Sequence, residues 1–81
     1  MTTPLGRTFF AGDRVVVSPD YHWARGATAT VSHQGGVRNT TSGPVQCYVV
    51  TFDIPQEDGS GDGPYDMATI DSRFLAPILN S

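Results

Sequence analysis

Residues 52–75 read FDIPQEDGSGDGPYDMATIDSRFL, and this stretch organises the chain. It begins and ends in strand-like sequence and holds a glycine-rich acidic loop in between. Two strands joined by a long charged loop are therefore predicted here. Six of the chain's eight acids lie in the stretch: Asp53, Glu57, Asp58, Asp62, Asp66 and Asp71.

The flanking sequence also favours short β-strands. Residues 45–52 alternate, which places Tyr48, Val50 and Phe52 on one predicted face. Three consecutive valines at 15–17 are β-branched, which suits a strand better than a helix. A single helical turn, with Asp71 as a possible N-cap, is predicted before the last strand. The predicted strands cover residues 14–18, 27–32, 45–52, 65–70 and 74–79.

Turn-forming residues predict where these strands stop. Residues 33–44, HQGGVRNTTSGP, are predicted to form a surface loop. Gly26 is predicted at a position where φ is positive or the backbone is crowded. Pro55 is predicted to end the third strand because proline cannot donate to a ladder. The predicted fold is all-β: a small five-stranded barrel with one short helical turn before the last strand.

The chain has 81 residues, which is enough for one domain with a thin core. We predict a flexible N-terminal arm over residues 1–8 and a single domain over residues 9–79. The single cysteine, Cys47, cannot form an intrachain disulfide, which favours a reducing, cytoplasmic setting. No apolar run reaches the ~18 residues of a membrane span, and the N-terminus lacks the apolar segment of a signal peptide.

Charge is unevenly distributed along the chain. Residues 1–52 carry four arginines against two acids, a net of +2, and residues 53–81 carry one arginine against six acids, a net of −5. These add up to the overall net charge of −3. Nucleic-acid binding normally requires a basic patch, so this balance argues against a nucleic-acid partner and favours a protein.

Four short patterns resemble those of SH3-like barrels. They are Phe-x-x-Gly-Asp-Arg-Val-x-Val from Phe9 or Phe10, GATATV at 26–31, YVVTFD at 48–53 and IDSRFLAP at 70–77. The variant they resemble is shared by the C-terminal domain of the nitrile hydratase beta subunit, the ferredoxin–thioredoxin reductase variable chain and photosystem I subunit IV. The resemblance implies an accessory, protein-binding barrel that docks on a larger partner and has no catalytic residues.

KOW modules share such glycine and valine patterns, which leaves a nucleic-acid-binding barrel as an alternative. That function would use Arg14, Arg25 and Arg38, if these cluster on one face with Tyr21 and Trp23. The acidic balance of the chain argues against it.

Two segments are candidate partner-binding sites. Tyr21, His22 and Trp23 lie where SH3-like barrels place a long loop beside their binding groove, and aromatic residues are common at interface hot spots. The alternative is that Tyr21 or Trp23 folds back to cap the barrel. Asp58 and Asp62 are the second candidate, as contacts for a basic patch on the partner.

Residues 58–63, DGSGDG, match the first half of a calcium-binding loop. Asp58, Ser60, Asp62 and Asp66 would supply the oxygen ligands, but the twelfth position is Thr69 instead of a glutamate. A solvated turn is the alternative interpretation. No cofactor is predicted, and no pair of nucleophile and base stands out, so an enzyme is not expected.

Overall fold

Five antiparallel strands and one 3-10 turn make up the fold in the computed structural model, which describes residues 8–78. The all-β class and the short helical turn before the last strand are confirmed. Residues 1–7 of the predicted arm and residue 79 of the predicted domain lie outside the described residues. The elements are β1 (Arg14–Val17), β2 (Thr28–Thr40), β3 (Gly43–Gln56), β4 (Tyr65–Asp71), the 3-10 turn (Ser72–Phe74) and β5 (Leu75–Pro77).

The strands form one sheet in the order β4-β3-β2-β1-β5. All pairings between neighbours are antiparallel. Strands β4 and β5 are therefore the two ends of the hydrogen-bonded order. Closure of this sheet into an SH3-like barrel stays a prediction.

Strands β2 and β3 form a hairpin that reaches further than the sequence predicts. The prediction of a surface loop over residues 33–44 is wrong, because β2 continues to Thr40 and β3 begins at Gly43. At the turn, the Thr40 hydroxyl donates to the Gly43 carbonyl oxygen at 2.7 Å. Backbone pairing with the opposite strand overrides the low strand propensity of these residues.

Glycines in β2 allow the hairpin to bend. Its register shifts between Val31 and His33 and again between Gln34 and Gly36, where Gly36 has a φ of 100°. A Cβ atom on Gly35 would lie 2.7 Å from Cγ2 of Thr69, so β2 approaches β4 closely at this point. The glycines that predict a loop thus permit a bulge and a close backbone approach.

Strand β3 continues past Pro55, so the prediction that it ends there is wrong. It runs to Gln56, which pairs with Tyr65. Between Thr51 and Gln56 the register with β4 is irregular. Pro55 lies within this irregular stretch, where the ladder does not require its missing N–H.

Asp71 caps the 3-10 turn, as predicted. Its Oδ1 accepts a hydrogen bond from the backbone N–H of Arg73 at 2.8 Å. The closing strand is shorter than predicted, because Phe74 belongs to the turn and β5 spans Leu75–Pro77. Within residues 8–78, no helix is long and apolar enough to cross a membrane.

The predicted inner face of β3 is confirmed, since Tyr48, Val50 and Phe52 are buried. The Tyr48 hydroxyl accepts a hydrogen bond from the backbone N–H of Phe9 at 3.0 Å, and the two rings meet edge to face. Phe9 therefore ties the segment before β1 to the core, whereas Phe10 is exposed. The other buried apolar residues are Val15, Val17, Ala24, Ala29, Val31, Val45, Cys47, Ile70 and Leu75.

Candidate docking groove along strand β4

Residues 18–27, which we name the aromatic loop, are tied to the sheet by backbone hydrogen bonds. The N–H of Ser18 donates to the Phe74 carbonyl oxygen at 2.8 Å, and the N–H of Gly26 donates to the Val17 carbonyl oxygen at 2.9 Å. Gly26 has a φ of 75°, as predicted, and Ala24 has a φ of 54°, which is uncommon for a residue other than glycine. This bonding positions the loop's aromatic side chains relative to the sheet.

Trp23 contacts two rings of the sheet. Its ring centroid lies 5.7 Å from that of Phe52 and 5.9 Å from that of Tyr65, and both contacts are edge to face. Edge-to-face packing of this kind adds to the energy of burial. Trp23 is nonetheless only partly buried. It therefore packs against the core and also presents ring surface to solvent.

Tyr21 contacts other rings than Trp23 does. Its ring lies 5.1 Å from that of Phe74 and 4.4 Å from that of His22. Tyr21 is partly buried against the core cluster, whereas His22 is exposed. From the sequence, Tyr21 and Trp23 could either fold back on the barrel or contact a partner. Both rings pack against the core.

A groove of about 360 Å³ opens between the aromatic loop and β4. Such a volume is near the lower end for sites that hold a small ligand, and it suits one or two side chains of a partner. It is lined by His22, Trp23, Asp58, Tyr65, Met67, Ala68 and Thr69.

The lining residues place this groove along the edge of β4. Met67, Ala68 and Thr69 are consecutive, and consecutive side chains of a strand point to opposite faces. Ala68 packs against the core with Trp23, whereas Met67 and Thr69 are exposed, so a cavity bordered by all three reaches both faces at the strand's edge. Strand β3 occupies one edge of β4, and the groove lies along the other.

The acidic loop, residues 57–64, contributes Asp58 to the lining of this groove. Oδ1 of Asp58 accepts hydrogen bonds from the hydroxyl of Ser60 at 2.6 Å and from its backbone N–H at 2.9 Å. These bonds lower the pKa of Asp58, with the hydroxyl contributing most. Within the described part of the chain, no basic group forms an ion pair with Asp58. Its negative charge is therefore not neutralised by the fold.

Three of the five predicted partner-binding residues meet in the groove, namely His22, Trp23 and Asp58. Tyr21 lies behind them against Phe74, and Asp62 is exposed on the acidic loop and does not line the groove.

Sequence reasoning missed Tyr65 and Met67, which line the same groove. The available signal was a large apolar residue, Met67, in a strand directly after the acidic loop. Its exposed fraction is 47%.

The partial calcium loop is a tight turn in which Asp58 bonds to Ser60. The backbone N–H of Asp62 in turn donates to Oγ of Ser60 at 3.2 Å. Among residues 8–78, no three histidine, cysteine, aspartate or glutamate side chains are grouped so that they could hold a metal ion. Calcium binding by Asp58, Ser60, Asp62 and Asp66 stays a prediction.

On the inner strands β1, β2 and β3, the charges are paired. Both terminal guanidinium nitrogens of Arg14 donate to the Asp53 carboxylate, with Nη1 at 2.6 Å from Oδ1. The Thr28 hydroxyl also donates to this carboxylate. Arg14 first and Thr28 second hold the pKa of Asp53 well below its usual range. This arginine is therefore not a free cation for nucleic acid.

Asp71 forms the second paired cluster. Its carboxylate lies 2.7 Å from Nη2 of Arg73 and 3.8 Å from Nη2 of Arg38. Burial raises the pKa of Asp71, but the hydrogen bonds and charge of Arg73, together with Arg38, outweigh burial and leave the pKa lowered. Burial also raises the pKa of the nearby Cys47 thiol, which suits an unreactive side chain.

A second depression, of about 280 Å³, lies on another part of the surface, beside Arg25 and Thr28. Ile54, with an exposed fraction of 72%, borders it. It contains neither an aromatic ring nor a carboxylate, so it offers less to a partner than the groove along β4.

Comparison with protein-family models, with curated proteins and with solved structures finds no match. The resemblance to SH3-like barrels therefore stays a prediction.

Proposed function

We propose that the protein is a non-catalytic accessory domain that docks on a larger protein through the groove along β4. The observation that carries this proposal is that the groove combines aromatic rings, a partly exposed methionine and an unpaired carboxylate. Aromatic residues and methionine are enriched at protein interfaces, and tryptophan and tyrosine dominate their hot spots.

The construction of the groove supports a docking role. Trp23 is positioned by contacts with Phe52 and Tyr65, and the aromatic loop that carries it is hydrogen-bonded to the sheet. A surface that is ordered before binding loses less conformational freedom when a partner arrives. The groove is too small for a folded domain, so it would receive a protruding part of the partner.

The charge of the surface favours a protein over a nucleic acid. Arg14 and Arg38, two of the arginines that a KOW-like barrel would use, are close to the carboxylates of Asp53 and Asp71. The acidic loop beside the groove would repel phosphate. We further propose a reducing, cytoplasmic setting, which the buried free thiol of Cys47 favours.

Site-specific photo-crosslinking in the native cells tests this function. A photoreactive amino acid at position 67 should give discrete crosslinked proteins, because Met67 lines the groove. The matched control is the same amino acid at position 37, on the β2–β3 hairpin. Val37 and Met67 have similar exposed fractions, 54% and 47%.

Crosslinks at position 67 that are missing at position 37 would support docking through the groove. Crosslinks of equal number and identity at both positions, or at position 37 alone, would overturn it. Mass spectrometry of the crosslinked bands then identifies the partner.

A further inference from the structure

Within residues 8–78, one edge of strand β4 has no paired strand. This strand is an end strand of the sheet, and its pairings in the described residues are all with β3. Apart from these pairings, no backbone–backbone hydrogen bond within residues 8–78 involves residues 65–71. The N–H and C=O groups along the other edge are therefore available to an added strand.

The groove follows this free edge. Its lining by Met67, Ala68 and Thr69 in succession means that an occupant lies beside the backbone of β4. An extended peptide fits such a position, because it can bond to the strand's backbone while its alternate side chains enter pockets. The aromatic loop forms the far wall of the groove through His22 and Trp23.

The electrostatics of this edge favour a cation. From residue 57 to residue 66 the chain carries four acids and no arginine or lysine. Asp58 lines the groove without an ion pair in the described residues, and Asp66 is exposed on β4 itself. Trp23 and Tyr65 line the same space, and aromatic ring faces attract arginine and lysine side chains.

From these observations we propose that the occupant of the groove is an extended, basic segment of the partner protein. The segment adds to the sheet as a strand along β4, and one arginine or lysine side chain lies against Trp23 and Tyr65 with its charge near Asp58. This inference rests on the proposed docking function and specifies the chemistry of the partner.

Selection from a random peptide display library on the purified, full-length protein tests the occupant. Peptides enriched for arginine or lysine at one position relative to the naive library are expected. Their Kd should rise at higher salt, because screening weakens an exposed charge pair. Enrichment of neutral or acidic peptides instead, or no enrichment, would overturn the inference.

A pair of variants in the acidic loop locates the contact. Asp58→Asn should weaken binding of the selected basic peptide by about tenfold, the size of one charge-assisted contact. Asp62→Asn removes the same charge from the same loop, but Asp62 does not line the groove, so a change of less than about threefold is expected, since only long-range attraction is lost. Equal losses in both variants would contradict placement of the cation at Asp58.

Backbone methylation of the peptide tests strand addition. In a peptide added as a strand, every second N–H group bonds to the edge of β4 and the others point away from it. N-methylation of the first set should therefore abolish binding, whereas N-methylation of the second set should preserve it. Equal binding of peptides methylated at either set of positions would overturn strand addition. The proposed function would survive this failure, provided that crosslinks at position 67 persist.

Discussion

Asp71 and Asp58 carry the same charge in opposite surroundings. The Asp71 side chain is only 3% exposed, caps the 3-10 turn and lies beside two arginines. Asp58 is exposed, and its hydrogen bonds come from Ser60, its neighbour in the acidic loop. The fold thus neutralises one carboxylate and leaves the other to solvent.

This difference separates the scaffold from the candidate binding surface. Around Asp71, a buried carboxylate lies beside two arginines. Removing the carboxylate leaves the arginine charges without their partner, which is unfavourable. Around Asp58, the charge contributes little to folding, because an exposed carboxylate without a cation is already well solvated. Substitutions should therefore affect stability at Asp71 and binding at Asp58.

The largest expected effect on stability is that of Asp71→Ala. This change removes the cap and the charge-assisted bonds to Arg73, so the free energy of unfolding should fall by about 2–3 kcal/mol. Urea denaturation followed by tryptophan fluorescence measures it, since the chain has a single tryptophan. Asp58→Ala is the control and should leave stability almost unchanged, because Asp58 is exposed and has no basic partner in the described residues. A similar loss in both variants would remove the distinction between the two regions.

Two tyrosines, one in the core and one in the groove, allow the same comparison of scaffold and binding surface. The expected effect on stability is smaller than that of Asp71→Ala. Tyr48→Phe leaves the buried N–H of Phe9 without its acceptor and should cost about 1–2 kcal/mol. Tyr65→Phe makes the same chemical change in the groove and should cost less than about 0.5 kcal/mol. Thermal unfolding of both variants measures the difference. An equal cost would show that the hydroxyl of the groove tyrosine supports the fold as much as that of the core tyrosine.

The pH dependence of stability should be the smallest of these effects. The pKa of Asp71 is lowered in the folded protein from its usual value of 3.8, so below that value the unfolded chain binds more protons. The contribution of Asp71 to the free energy of unfolding is therefore complete above about pH 4 and is lost as acid protonates the folded carboxylate. Urea unfolding between about pH 2 and about pH 6 should give a shallower dependence of stability on pH for Asp71→Asn than for the unsubstituted protein. The reverse order would contradict the assignment of Asp71 to the scaffold.

The sequence predicts those parts of the fold that depend on local sequence patterns. Alternation in residues 45–52 correctly identifies the buried face of β3, and Asp71 has the residue type and position of an N-cap. The β2–β3 hairpin could not be predicted in this way. Its glycines and Asn39 favour turns, and backbone pairing with the neighbouring strand β3 makes them extended.

The candidate site was predictable in its components but not in its assembly. Aromatic and acidic residue types pointed to His22, Trp23 and Asp58 separately. That Tyr65 and Met67 join them depends on β4 being an end strand, and strand order is set by long-range pairing. Local periodicity carries no information on which edge of a strand stays free.

The most direct test is an amide-resolved NMR titration of the protein with a selected arginine-containing peptide. The largest chemical-shift changes should fall on residues 22–23, 58 and 65–69, while residues 36–43 at the end of the hairpin and Asp53 stay unchanged. Such a pattern would place the partner along β4. Changes centred on the hairpin end or on Asp53, with β4 unaffected, would contradict the docking groove.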